Sequence, residues 1–340
     1  MGLEIVALTA ANLDDAARLL AGFHRQVRET APELQERFTT PDEVRPVLQQ
    51  LIENPDTTGV AALRDGRMTG FLAGAIALPS PQDSMSLFVR PRSAVVGYGG
   101  CAVEPADGYE LYRSLYAALA PAWTARGCFT HYVTVPADDR QALEAWSSLG
   151  FGQDLVSGVR DTGPVQAAGP AAAVEVHQAG PEEIGEVLRL ITDLYRYHAG
   201  PPMFQPYLPE TEADVRRAHE ALLAGPTGAH WLAIRDGRAV GLQDFTPASV
   251  RSPLAIVEDS TYLRHGYTDA GARGGGVATA LLDRSMVWAR DAGYRYCTIN
   301  WFSGNLLAAR FWRRSGFRPL SYRLVRIVDE RIAWAGGAVA

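Results

Sequence analysis

Cysteine is scarce in this chain: Cys101, Cys128 and Cys297 are the only three among 340 residues. They are odd in number, and none stands at metal-ligand spacing. A disulfide framework is therefore excluded and no metal site is expected; reduced, mostly buried thiols in a cytoplasmic protein are. Long apolar runs are missing too. The longest uncharged one, Gly70 to Pro79, falls well short of the roughly 20 residues of a membrane span. Met1 leads into Leu3–Leu8 without a basic stretch and apolar core, so neither a membrane nor a secretory route is expected. Positive charge is not in excess. A net charge of −6 argues against nucleic acid, which wants a basic face. It weakly favours a cationic small molecule, or simply solubilises the chain.

What the chain does have is an internal repeat. Arg64-Asp65-Gly66-Arg67 recurs as Arg235-Asp236-Gly237-Arg238. Gly127, Trp146 and Gly150-Phe151 are answered by Gly293, Trp312 and Gly316-Phe317, all at an offset of 166 residues. Such a long-period repeat implies two copies of one fold. The length suits two domains, read here as 1–162 and 174–340, with a Gly-, Pro- and Ala-rich linker at 163–173. In the second copy Ile184, Val187, Leu188, Ile191 and Leu194 recur at helical spacing, and the Asp-Gly pair joins two strands as a hairpin. The predicted order is β-α-α-β-β-β-α-β-α-β, a mixed α/β fold in which a mostly antiparallel twisted sheet is flanked by helices in each copy.

The strongest chemical signal is Arg273-Gly274-Gly275-Gly276-Val277-Ala278, set between a predicted strand (260–268) and a long helix (277–292). Glycines allow a tight turn that presents several amides to one anion, and the helix N-terminus adds its positive end. Taken alone, three glycines are equally a flexible turn. A Rossmann loop fits poorly, since it would follow the first strand of its domain.

The loop matches the pattern R/Q-x-x-G-x-G/A through Arg273, Gly276 and Ala278. A second signature, N-x-x-A-x-x-F-aromatic-x-x-x-G-F, is met by Asn305, Ala308, Phe311, Trp312, Gly316 and Phe317. The second half thereby resembles the GCN5-related N-acetyltransferase superfamily. That resemblance implies acetyl-CoA as co-substrate, with its pantetheine arm along Gly266, Tyr267 and Thr268 and its pyrophosphate on the amides of Gly274, Gly275, Gly276, Val277, Ala278 and Thr279. Asn305 is either a pantetheine contact or a helix cap. The implied reaction is acetylation of a small-molecule amine.

Such a reaction needs a base, and His265, Glu258 and Asp244 lie in the stretch where the family keeps one. The family's thiolate-protonating Tyr is replaced by Trp312, which leaves the acid unassigned. Tyr195, His198, Phe204 and Tyr207 form an aromatic set suited to an acceptor pocket, or to covering a core edge. In the first half Asp107, Tyr109 and Glu110 stand where the amides of a phosphate loop belong, so that half is read as a degenerate copy that forms one wall of the acceptor site. Other readings are an acetyl-CoA-binding sensor without activity, or a transferase taking a longer acyl-CoA or an acyl carrier protein. A monomer or weak homodimer is expected.

Overall fold

The computed structural model describes residues 2–165, 173–247 and 252–335. Most of the expected linker, residues 166–172, lies outside them. The first half runs β1 (Leu3–Ala7), α1 (Leu13–Arg28), α2 (Pro41–Glu53), β2 (Thr57–Arg64), β3 (Arg67–Ala77), β4 (Ser93–Val96), β5 (Cys101–Val103), α3 (Gly108–Ala125), β6 (Thr130–Pro136), α4 (Arg140–Ser148) and β7 (Gly152–Asp161). The second runs β8 (Glu175–Gln178), α5 (Ile184–Ala199), α6 (Glu212–Ala224), β9 (Ala229–Arg235), β10 (Arg238–Pro247), β11 (Ser260–Thr268), α7 (Val277–Asp291), β12 (Tyr296–Phe302), α8 (Leu306–Arg314) and β13 (Arg318–Ile327). Among the described residues no helix is long and apolar enough to cross a membrane, and the three cysteines are free.

The local signals fold as their chemistry dictates. Both Asp-Gly pairs take left-handed backbone, Asp65 and Gly66 at φ 52° and 75° and Asp236 and Gly237 at 51° and 73°, which matches the twist of a two-residue hairpin. On α5 the residues Val187, Leu190, Ile191 and Leu194 are buried as one stripe. The α7 stripe of Leu281, Leu282, Met286 and Ala289 is fully buried against the second-half sheet. One difference appears in the first half. Its fourth strand is broken at residues 97–100, so that β4 pairs with β3 and β6 while β5 pairs with β3 alone.

All thirteen strands belong to one sheet, ordered β1-β2-β3-β4-β6-β13-β7-β12-β11-β10-β9-β8, with β5 off this path on β3. The closing strands of the two copies are exchanged within this sheet. The last strand of the second half, β13, pairs with β6 of the first from Ser321↔Pro136 to Ile327↔Thr130. The last strand of the first half, β7, pairs with β12 of the second from Tyr296↔Asp161 to Phe302↔Leu155. The two exchanged strands also pair with each other. Alternating apolar residues define a strand's face and leave its neighbours open, so pattern alone does not reveal such an exchange.

Specific side chains lock it. Arg160 at the end of β7 is buried and donates to four carbonyls: from Nη1 to Ser315 (2.6 Å), from Nε to Asp161 (2.7 Å), and from Nη2 to Gly163 (2.7 Å) and Pro164 (3.4 Å). Arg323 on β13 forks onto Asp154 of β7, Nε to Oδ2 being 2.7 Å. Gly158 crosses β12 so closely that a Cβ there would run into the Trp301 ring. Residues 174–340 produced alone leave β12 without β7 on one edge and β13 without either of its own partners. That fragment is expected to self-associate or precipitate on size-exclusion chromatography with light scattering. A folded monomeric fragment would show that β13 folds back and that the exchange is dispensable.

Candidate functional site

β11 and β12 run parallel only from Ser260↔Tyr296 to Leu263↔Ile299. Beyond Leu263 they splay, while β11 stays paired with β10 as far as Thr268. The splay opens a cavity of about 190 Å³, lined from β11 by Tyr262, Arg264, His265 and Gly266, from β12 by Asn300 and Phe302, and from the helices by Tyr195, His198, Asn305 and Trp312. The first half contributes Phe88 and Leu155 to the wall. Phe88 stacks on Phe302 at 6.3 Å between ring centres, so the first half forms part of the wall of this cavity.

Two of the three candidate bases meet at this cavity. The β10–β11 register passes from Asp244↔His265 to Phe245↔Leu263 and leaves Arg264 as the extra residue of a bulge. Asp244, fully buried, lies 2.9 Å from His265 Nδ1 through Oδ1, and His265 Nε2 lies 3.0 Å from the Tyr195 hydroxyl. Burial pushes the Asp244 carboxyl up, but the attraction of His265, helped by Arg264, outweighs it and holds the group well below the usual carboxylate range. An ionised Asp244 requires the proton on Nδ1, so Nδ1–H donates to Asp244 and Nε2 accepts from Tyr195. Burial in turn pushes the Tyr195 phenol up. The third candidate, Glu258, is exposed in the link before β11, its amide bonded to the Glu33 carbonyl at 3.1 Å. It sits at the closed end of the splay, seven extended residues or roughly 23 Å of strand from His265, and takes no part in the cavity.

The cofactor positions form a consistent surface. Gly274 and Gly276 are left-handed, at φ 78° and 76°, and Gly276 begins α7 without a capping side chain. The amides from Gly274 to Thr279, including those of Gly275, Val277 and Ala278, find no acceptor among the described residues. Arg273 folds back, its Nε donating to the Thr268 carbonyl at 3.1 Å and its guanidinium lying over Tyr197 and Tyr267. Arg235 reaches the loop as well: its Nη2 lies 3.2 Å from where a Cβ on Gly275 would stand. Unpaired amides, a helix N-terminus and two guanidinium groups suit a pyrophosphate. The open edge of β11 beside Gly266, Tyr267 and Thr268 suits an extended amide-bearing arm. Asn305 caps α8, its Oδ1 accepting from the Ala308 amide at 3.1 Å, and it also lines the cavity.

The same tetrapeptide behaves differently in the first half. Arg64 pairs with Asp107, so an acid occupies the place that stays open beside Arg235, while the last arginine of each tetrapeptide meets an acid, Arg67 with Glu104 and Arg238 with Asp269.

The acceptor set divides. Tyr195 and His198 line the cavity; His198 packs edge-on against Phe302 at 5.2 Å, and burial with repulsion from His265 pushes it down to about 4. Phe204 and Tyr207 do not line it. Phe204 is 72% exposed at φ 50° in the loop after α5, and Tyr207 bonds Glu212 and packs against α5 and α6. An aromatic run shows what a loop is made of, not which way it turns.

Behind Asp244 lie two histidines that the sequence did not single out, His219 on α6 and His230 on β9. Both are buried, with His219 Nδ1 2.8 Å from His230 Nε2. With Asp244 they offer three donor atoms within 4.8 Å of one another; since the two rings are bonded directly to each other, we assign no metal there. Burial pushes His219 down to about 2, with Asp244 opposing and His265 adding to the shift, and burial also lowers His230. Because these folded values lie below the ordinary 6.5, the unfolded chain takes up protons first. The stability held by a neutral His219 is complete above about pH 6.5 and drains away as pH falls, by up to about 1.4 kcal/mol per unit. His219→Gln is expected to remove one such increment from the slope of urea-unfolding stability between about pH 4 and 6. An unchanged slope would mean that His219 is charged in the folded protein.

Residues 191–317 match the model of the acetyltransferase (GNAT) family. No curated protein matches the chain in sequence. Among solved structures, a GCN5-related N-acetyltransferase from Sphaerobacter thermophilus aligns over 96% of this chain and 95% of its own, with 15% identity and a TM-score of 0.57. A GCN5-related glucosamine N-acetyltransferase region of a fungal multi-domain GH3 β-N-acetylglucosaminidase aligns over 95% of this chain and 38% of that one, with 14% identity and a TM-score of 0.53. A tandem GNAT protein from the clavulanic acid biosynthesis pathway aligns over 96% and 98%, with 15% identity and a TM-score of 0.45. The chain thus carries a match to the acetyltransferase (GNAT) family model over residues 191–317, and as a whole it has the fold of a GCN5-related N-acetyltransferase.

Proposed function

We propose that the protein transfers the acetyl group of acetyl-CoA to the amine of a small molecule, using one site per chain in the second half. The observation that carries this reading is the chain Tyr195–His265–Asp244, which reaches the cavity where β11 and β12 splay. Acetyl-CoA supplies an activated acyl group as a thioester. The protein's part is to position the acceptor and to move one proton.

A nucleophilic amine must give up a proton as its nitrogen bonds the acyl carbon and the carbon–sulfur bond breaks. Tyr195 passes its hydroxyl proton to His265 Nε2 while taking the one from the amine, and Asp244 stabilises the imidazolium that results. Burial disfavours a free Tyr195 phenolate, so the two transfers are concerted. Running the relay backwards returns a proton to the departing sulfur. In this way the relay fills the role left open by Trp312, whose indole packs against Gly266. The loop amides and Arg235 hold the pyrophosphate, and the paired acids of the first half keep that half from doing the same.

Calorimetric titration tests the cofactor assignment. One acetyl-CoA per chain is expected in the wild type and none in Gly276→Glu, which adds a carboxylate at a left-handed position. Two sites per chain would show that the first half is not degenerate. His265→Gln and Tyr195→Phe should keep acetyl-CoA binding yet lower thiol release with an accepted amine by roughly 10²–10⁴-fold. The chain contains no lysine, so none of its own side-chain amines competes as acceptor in that assay. Full activity in either variant would remove the relay.

A further inference from the structure

The cavity wall carries charges that acetyl transfer to a plain amine does not explain. Its charged lining side chains are Arg264 and Arg323, and no Asp or Glu lines it among the described residues. Arg323 is engaged, forked onto Asp154 with its guanidinium 4.8 Å over the Tyr132 ring. Arg264 differs. Its closest acid is Asp244, with Nε 3.8 Å from Oδ2, too long for a hydrogen bond. It makes no hydrogen bond among the described residues, although its side chain is only 24% exposed.

The neighbouring polar groups do not change this balance. Asn300 Nδ2 donates to the Tyr262 hydroxyl at 3.1 Å, and its Oδ1 accepts from Ser157 at 2.7 Å. His198 is neutral at physiological pH. A guanidinium with open donors therefore faces a space meant for an amine, which as an ammonium ion it would repel.

The bulge in β11 sharpens the point. Successive strand residues normally face opposite sides. At Arg264 the extra residue lets it and His265 line one cavity. The fold thus places an anion receptor directly beside the proton relay. A cavity of about 190 Å³ is also small against the roughly 300–1,000 Å³ of drug-sized ligand sites.

We infer that the acceptor is an amine carrying a carboxylate a few bonds from its nitrogen, of the amino acid class, with Arg264 receiving the carboxylate in fork geometry. This rests on the acetyl-transfer reading of the same cavity. It also reverses what net charge alone suggests, because the local charge at the site is positive while the chain is acidic overall.

Matched pairs of acceptors test it: leucine against 3-methylbutylamine, phenylalanine against phenethylamine, and small amino acids against their decarboxylated amines. Thiol release from acetyl-CoA is followed for the wild type, Arg264→Lys and Arg264→Leu. The wild type is expected to favour the carboxylate-bearing member in kcat/KM by on the order of tenfold to a hundredfold. The ratio should fall in Arg264→Lys and approach one in Arg264→Leu. Taking the ratio on one preparation cancels any loss of folded enzyme, and the wild-type comparison needs no variant. Plain amines turned over as well as amino acids, or a ratio unmoved in Arg264→Leu, would overturn this inference and leave acetyl transfer standing. Acetyl-CoA binding without thiol release for any pair would overturn both.

Discussion

The exchange of β7 and β13 is the constraint on which the rest of the molecule depends. It makes one sheet from two copies, and it also builds the site. Leu155 of β7 and Arg323 of β13 stand in the wall of the cavity, and Arg323 is held there by Asp154 of the strand beside it. Ser157 of β7 fixes Asn300 on β12. If each copy ended on its own strand, neither Leu155 nor the Asp154–Arg323 pair would flank the splay of β11 and β12. The first half is therefore tied to this cavity by the architecture, because its last strand lines the wall.

The two copies separate the requirements of folding from those of binding. Both keep the Asp-Gly hairpin, the buried Trp and the closing Gly-Phe, which serve turns and core. They diverge where a ligand would sit. In the second half Arg235 has no ion-pair partner among the described residues and lies beside left-handed glycines, whereas in the first its counterpart Arg64 is paired with Asp107. Exposed ion pairs of this kind contribute little to stability, so Asp107 is better understood as closing the place beside Arg64 than as strengthening the domain.

Much of this was legible in the sequence where one residue type has one physical use. The Asp-Gly turns, the α5 and α7 stripes and the glycine loop each follow from local backbone or burial rules. His265 and Asp244 were legible as candidates, but their meeting was not, since it depends on which residues of β10 and β11 face each other. Glu258 was misplaced for the converse reason: closeness in sequence to a strand says nothing of which end of the splay it occupies. Phe204 and Tyr207 belong to a loop whose direction is set by tertiary contacts. Arg264 was missed because a bulge has no fixed sequence signature, and His219 because a lone histidine on a helix has no pattern of its own.

The buried histidines bear on why the relay stays in place. A fully buried carboxylate is costly unless its surroundings compensate, and Asp244 has one oxygen bonded to His265 and the other without a hydrogen bond among the described residues. An apolar side chain at 244 would suit the core better. His219 and His230, neutral and bonded to each other, surround that carboxylate with polarisable rings instead of aliphatic groups, and Arg264 lends partial compensation from the cavity side. The arrangement gives up stability at acidic pH and leaves Arg264 only loosely held. A guanidinium forked tightly onto Asp244 would take the carboxylate from His265 and would have no donors left for a ligand. The 3.8 Å gap between Arg264 and Asp244 is thus what lets one buried acid orient His265 while the adjacent arginine keeps its donors open to the cavity.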